Sequence, residues 1–208
     1  RAQQLRPVLE DIGADSIKTG MLHNAAVIAA VVEALDTLAA GIPVVVDPVI
    51  YAKSGAALLD PAACDTLIRR LLPRASVITP NVREAEELSG LSIRNPDDLA
   101  AAAHQLLTLG PAAVLVKGGH LPGESITDWL VWREGAEAFT APRFASRHIH
   151  GTGCTLASAI ATGLTQGLPL NVAVRRALTY VREAIRTAPN LGQNSGLLNH
   201  GHTAHPWN

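Results

Sequence analysis

The stretch HGTGCTLASAIATGL, residues 150–164, places two glycines, a threonine and a cysteine directly before an apolar run of helical character. The first N–H groups of a helix lack partners within it, and the helix dipole makes that end partly positive. Glycines admit a ligand close to the backbone, so Gly151, Thr152 and Gly153 are predicted to hold an oxyanion such as a phosphoryl group in transfer. Cys154 is a candidate thiolate base or polar contact. A plain glycine turn, with Cys154 as a small buried filler, is the alternative.

Asn81 and Glu84 stand three residues apart where a strand-like run passes into a helix, so their side chains can share one face. Oxygen donors of this kind suit Mg²⁺, which keeps most of its waters and takes few protein ligands. The same spacing is that of a capping box, in which both side chains bond to the backbone at the start of the helix. The sequence leaves both interpretations open.

Two further charged residues follow apolar strand-like runs. Lys117 is a candidate partner for a phosphate, or a lysine that extends to solvent from the sheet edge. Asp47, before Pro48, is a candidate for orienting metal-bound water, or for capping the turn.

Histidines of the C-terminal segment and one cysteine are assigned no chemistry. His200, His202 and His205 lack a cysteine partner and a predicted scaffold, so a solvated tail is favoured over a metal site. Cys64 falls within a helical pattern and is predicted to belong to the core.

Strand-length apolar runs alternate with helical patterns along the chain. Strands are predicted at 15–21, 42–50, 75–81 and 112–119, a β-hairpin at 125–140, and helices at 24–40, 60–72, 82–90, 95–110, 153–166 and 170–188. This order predicts an α/β fold with a parallel sheet and helices on both faces. Ligands of such sheets collect beyond the carboxyl ends of the strands. The strand ends KTGML, VDPV, TPNVRE and VKGGH are therefore expected to line one crevice.

Composition excludes several classes of protein. The 208 residues suit one α/β domain, and a net charge of −1 with 3% aromatic residues gives no support for nucleic-acid binding. No apolar stretch is long enough to span a membrane, so no membrane partner is expected. The two cysteines form no CxxC pair, which favours a reducing cytoplasm.

Five segments in this order resemble the hydroxymethylpyrimidine/phosphomethylpyrimidine kinases of thiamine biosynthesis, which belong to the ribokinase-like superfamily. They are GADSIKTGML, VVVDPVIYAKSGAALL, VITPNVREAEELSG, LVKGGHLPG and HGTGCTLASAIATGL. The resemblance implies a three-layer αβα fold with a mostly parallel sheet. It also implies that ATP and Mg²⁺ phosphorylate 4-amino-5-hydroxymethyl-2-methylpyrimidine and then its monophosphate. Residues 1–190 would form the kinase domain and 191–208 a C-terminal tail, in a cytoplasmic homodimer.

The resemblance also implies roles for the site residues. The family's anion hole is matched by Gly151, Thr152 and Gly153. Thr152 would also contribute to binding of the nucleotide. Cys154 matches a position where most ribokinase-like enzymes carry an aspartate base, and a cysteine there is characteristic of the pyrimidine branch.

The remaining matches concern the nucleotide and the metal. Asn81 and Glu84 match an N-x-x-E element linked to Mg²⁺ and phosphate placement. Lys117 resembles the lysine that meets ATP phosphates, and Asp47 the aspartate near the metal.

One departure from the family pattern bears on the pocket. The family opens with a strand carrying a GSD…GGAG element and a segment whose glutamine contacts the pyrimidine, and neither is in this sequence. We therefore expect a domain truncated at its N-terminus. Two alternatives stay open: a pyridoxine/pyridoxal kinase of the same branch, and a truncated non-catalytic module that binds nucleotide or pyrimidine. A nicotinamide dehydrogenase is disfavoured, because no G-x-G-x-x-G follows the first strand.

Overall fold

One six-stranded sheet organises the computed structural model, which describes residues 2–52, 54–144, 150–189 and 196–204. The strands, adjacent in chain order, are β1 (Ile17–Thr19), β2 (Val44–Val46), β3 (Val77–Ile78), β4 (Ala113–Val116), β5 (Ser125–Trp132) and β6 (Gly135–Pro142). The first four pair in parallel, and β5 and β6 add an antiparallel hairpin to β4. The predicted parallel sheet and hairpin are confirmed, with strands shorter than the apolar runs.

Seven α-helices accompany the sheet within the described residues. They are α1 (Ala2–Asp11), α2 (Ala25–Leu38), α3 (Cys64–Thr66), α4 (Val82–Ser89), α5 (Pro96–Leu107), α6 (Thr152–Thr165) and α7 (Leu170–Arg186), with 3₁₀ and π turns flanking α3 between residues 61 and 74. Of these, α2 to α5 connect the parallel strands. Asn24 caps α2 at the start of the predicted helix 24–40, and its side chain accepts a hydrogen bond from the Val27 N–H at 3.0 Å. The sequence did not predict α1, which contains Pro7 and therefore lacks one backbone donor.

The sheet is buried on both faces, and its side chains alternate between two apolar clusters. Val44 and Val46 pack with α2, α4 and α5, whereas Val45 packs with α6 and α7. Val114 and Leu115 of β4 divide in the same way. Successive side chains of a strand point to opposite faces, so a continuous apolar run requires a cover on each side. The predicted three-layer architecture is confirmed.

The segment 196–204 packs against α7. Leu198 is buried, the Asn199 N–H donates to the Ala184 carbonyl at 3.0 Å, and the Tyr180 hydroxyl donates to the His200 carbonyl at 3.2 Å. His200 is exposed, in line with the predicted solvated tail, whereas His202 is half-buried, with its ring centroid 4.6 Å from that of Tyr180. His205 lies outside the described residues.

Cys64 is half-buried against the core, as predicted, and burial raises the pKa of its thiol. Across the described ranges, no helix has the length and apolar character needed to cross a membrane.

Candidate active site

A buried ion pair lies at the carboxyl edge of the sheet, where β2 and β4 end. The Lys117 Nζ donates to Asp47 Oδ1 at 3.1 Å, and the Thr79 hydroxyl donates to the same oxygen at 3.2 Å. Asp47 is only 3% exposed, and the Lys117 side chain is 15% exposed. Two groups therefore hold the carboxylate, and the ammonium is fixed in position instead of moving freely in solvent.

The start of α6 lies directly against this pair. Gly151 caps the helix with a left-handed backbone, at φ +82°, which favours glycine. A Cβ added to Gly153 would lie 3.2 Å from Lys117 Nζ and 3.7 Å from Asp47 Oδ2. The predicted anion-binding turn, the lysine and the aspartate thus meet at one place, although more than a hundred residues separate Asp47 from Gly153 in the chain.

Cys154 is exposed, so the prediction of a buried filler is wrong. It opens onto a groove of about 1020 Å³ between α6, α7 and residues 200–203. Ser158, Tyr180 and Glu183 are among the polar residues that line the groove. A thiol in this position is accessible to a small substrate.

Asn81 and Glu84 form the capping box of α4. The Asn81 side chain accepts from the Glu84 N–H at 3.0 Å, and Glu84 Oε2 accepts from the Asn81 N–H at 2.8 Å. Burial raises the pKa of Glu84, although the nearby charge of Lys117 and the Asn81 N–H oppose the shift. The capping-box interpretation is confirmed, and both side chains still lie beside the ion pair, because Asn81 bridges to Lys117 in parallel β geometry.

Two residues that the sequence analysis missed support the loop after Lys117. Asp128 of β5 is 6% exposed and accepts from the Gly118 N–H at 2.8 Å. Arg143, after β6, donates to carbonyl groups of the same loop. The sequence did contain a signal for Asp128. It lies two residues from Leu130 in the strand SITDWLVW and so shares its buried face, where an acidic residue needs a hydrogen-bond partner.

Comparison with known proteins identifies the family. The family model described as phosphomethylpyrimidine kinase matches residues 2–199. The chain belongs to the phosphomethylpyrimidine kinase family. It is 46% identical over 199 residues to the thiamine biosynthesis bifunctional protein ThiED of Geobacter sulfurreducens, covering 96% of this chain and 40% of that protein. It is 45% identical to the hydroxymethylpyrimidine/phosphomethylpyrimidine kinase of Streptomyces coelicolor, covering 95% of this chain and 72% of that protein.

Solved structures place this family member among ribokinase-like kinases, as the resemblance implied. The phosphomethylpyrimidine kinase of Clostridium difficile 630 has a TM-score of 0.77 at 40% identity, over 88% of this chain and 74% of that one. The pyridoxal kinase of Staphylococcus aureus, in complex with AMP-PCP, has a TM-score of 0.89 at 32% identity, over 98% and 74%. At these identities the likeness extends beyond the fold to a shared kinase class.

In this family member, the carboxylate of Asp47 offers a position that suits a magnesium ion. Both hydrogen bonds to Asp47 from Thr79 and Lys117 end on Oδ1, and Oδ2 faces Gly153. Within the described residues no group of three or more His, Cys, Asp or Glu converges. Magnesium commonly binds through one or two carboxylates together with substrate phosphates and waters, so this donor set suits it.

Asp128 is expected to give this family member a measurable pH dependence of stability. Burial raises the pKa of Asp128 above 3.8, against the Gly118 N–H and the charges of Arg182 and Lys117. The folded state therefore holds this proton more tightly than the unfolded state. The resulting stabilisation is complete below the unfolded pKa and is lost as pH rises through the folded pKa. The variant Asp128→Asn cannot ionise, so it should gain stability relative to the wild type over that range.

Urea unfolding at about pH 4 and about pH 7.5 measures this difference. Asp65→Asn, which removes an exposed carboxylate, is the control and should change less between the two pH values. If wild type and Asp128→Asn lose stability in parallel, the expectation is wrong.

Proposed function

We propose that this chain transfers a phosphoryl group from ATP to the hydroxymethyl oxygen of 4-amino-5-hydroxymethyl-2-methylpyrimidine, and then phosphorylates the monophosphate. The observation that carries the proposal is the contact between the glycine turn at Gly153 and the Lys117–Asp47 pair. Two relatives named hydroxymethylpyrimidine/phosphomethylpyrimidine kinase are 45% and 40% identical over nearly the whole of this chain, and this supports the choice of substrate.

Each residue of the site has a part in this transfer. The backbone N–H groups of Thr152 and Gly153 would donate hydrogen bonds to the negatively charged oxygens of the phosphoryl group. Lys117 would bind a nucleotide phosphate from a fixed position. Asp47 would hold Mg²⁺ through Oδ2, and the bound ion would neutralise phosphate charge. The capping box of Asn81 and Glu84 would fix the loop beside the nucleotide.

Cys154, as a thiolate, would take the proton from the hydroxymethyl group and become a thiol, since its side chain is exposed at the start of α6. An alcohol has to lose its proton as the new bond forms. The second acceptor, a phosphate monoester, is largely ionised at neutral pH because its second pKa is about 6. The second phosphorylation therefore needs no base.

Replacing Cys154 by alanine is expected to separate the two steps. The kcat for the alcohol should fall by roughly 10²-fold or more, the range typical of a lost general base. The kcat for the monophosphate should change far less, and Cys154→Ser should behave like Cys154→Ala. Steady-state ADP release with each acceptor measures both values, in the intact protein.

Cys64→Ala is the matched control, because it removes the other cysteine, which is half-buried in the core. Equal losses for both acceptors would show that the thiol positions substrate and is not a base. Near-wild-type rates for both Cys154 variants would remove Cys154 from the mechanism.

A pyridoxal kinase activity is the second candidate. It is favoured by the TM-score of 0.89 to the Staphylococcus aureus pyridoxal kinase, although the identity is lower, at 32%. Comparing kcat/KM for the pyrimidine and for pyridoxal decides between the two, and nucleotide binding without turnover of either would indicate a non-catalytic module. The boundary at residue 190, homodimer formation and a cytoplasmic location stay predictions.

A further inference from the structure

The guanidinium of Arg143 holds the loop 118–123 by its carbonyl groups. Nη1 donates to the Gly119 carbonyl at 2.8 Å, Nε donates to the Gly123 carbonyl at 2.9 Å, and Nη2 donates to the Leu121 carbonyl. Three carbonyls that converge on one planar guanidinium fix the path of the loop. A lysine could not reproduce this arrangement, because its ammonium is a single point of charge.

Asp128 and Thr127 both lie against Gly118, the first residue of the same loop. The carboxylate of Asp128 accepts from the Gly118 N–H, and a Cβ on Gly118 would lie 1.9 Å from the Thr127 carbonyl oxygen. The loop also closes on itself, since the Leu121 N–H donates to the Gly118 carbonyl at 3.0 Å. The peptide that follows Lys117 therefore has little freedom to move.

Asp128 bonds to the backbone of the residue directly after Lys117, and Arg143 bonds to carbonyl groups further along the same loop. A peptide unit is planar, so a carbonyl that is fixed on one side also fixes the direction of the N–H on the other. Leaving Asp128 ionised in an apolar surrounding costs free energy unless it is hydrogen-bonded, and its bond goes to the residue directly after Lys117. The burial of Asp128 at this position therefore indicates that the backbone between Lys117 and Gly118 has to be held in one conformation.

We infer that Arg143 and Asp128 are positioning residues, which hold the 118–123 loop and the adjoining Lys117 in the arrangement that receives the phosphates of the nucleotide. The inference rests on the proposed kinase function. Neither residue would contact substrate, because their hydrogen bonds to the loop end on its backbone. Loss of either anchor lets the loop move away from the phosphates, while the acceptor site is unaffected.

The test uses Arg143→Met, Arg143→Lys, Asp128→Ala and Asp128→Asn in the intact protein. We expect Arg143→Met and Asp128→Ala to raise the KM for MgATP by roughly tenfold or more, in line with the loss of charge-assisted hydrogen bonds. The KM for the pyrimidine should stay within about twofold, and Asp128→Asn should restore most of the lost ATP affinity because its amide oxygen still accepts. Arg143→Lys should restore little. Arg69→Met, which breaks an exposed ion pair with Asp65, is the matched control.

Hydrogen–deuterium exchange of residues 117–124 provides a readout that needs no turnover. Faster exchange in Arg143→Met and Asp128→Ala, together with the raised ATP KM, supports the inference. An unchanged ATP KM overturns it, even where the variants melt earlier, and so does an Asp128→Asn protein as impaired as Asp128→Ala. A wild-type protein that fails to bind AMP-PCP overturns the proposed function instead, and the inference with it.

Discussion

Replacing Lys117 by methionine is expected to lower kcat/KM for ATP by roughly 10²- to 10³-fold, as for other preorganised groups that stabilise a charged transition state. Its ammonium lies 3.1 Å from Asp47 Oδ1 and close to Gly153, where the phosphoryl group would be held. Because the Lys117 ammonium is already held in place, it does not have to reorient when negative charge shifts during phosphoryl transfer. Methionine keeps most of the apolar stem of lysine and removes the ammonium group.

The same substitution leaves Asp47 buried without its cation, and breaking one side of a buried pair can cost about 3–5 kcal/mol of stability. Thermal unfolding must therefore accompany the kinetics, at a temperature where the variant is folded. Arg74→Met is a suitable control, because it removes a cation from an exposed ion pair with Asp36. A folded Lys117→Met protein with kcat/KM within a fewfold of wild type would exclude this lysine from phosphate binding.

Replacing Gly118 by alanine is expected to destabilise the fold by about 3 kcal/mol or more, at the upper end of the range for overpacking. The added Cβ would lie 1.9 Å from the Thr127 carbonyl oxygen and 2.9 Å from Leu99 Cδ1. The first of these atoms is backbone, in a strand that pairs with both of its neighbours, so it cannot move aside without breaking the ladder. The register pairs Val116 with Trp129, which brings Thr127 opposite Gly118 two residues further along.

Gly119→Ala is the matched control, since a Cβ there meets nothing within 4 Å. Its free energy of unfolding should stay within about 0.5 kcal/mol of the wild-type value, as for most surface substitutions. Urea denaturation of the two variants and the wild type gives the comparison. If Gly118→Ala is as stable as Gly119→Ala, β5 does not approach the loop as closely as described.

Local signals in the sequence determined the order of the elements and the two covered faces of the sheet. Val44, Val45 and Val46 form a run without a polar residue, and such a run is stable only where helices cover both sides. Asn24 and Asn81 mark helix starts because their side chains bond to N–H groups only three residues away. The carboxyl edge of the sheet followed from these elements, and with it the residues of the candidate site.

Only the tertiary structure decided what those residues do to one another. Asp47 and Lys117 are seventy residues apart, and they meet because β2, β3 and β4 pair in one register. The spacing of Asn81 and Glu84 suits both a helix cap and a metal site, and the two backbone hydrogen bonds of the folded chain identify the cap. Arg143 gave no signal, because nothing near it in the chain indicates that its guanidinium reaches three carbonyls about twenty residues away. Contacts of this range depend on strand register and helix packing, which short patterns of residues do not encode.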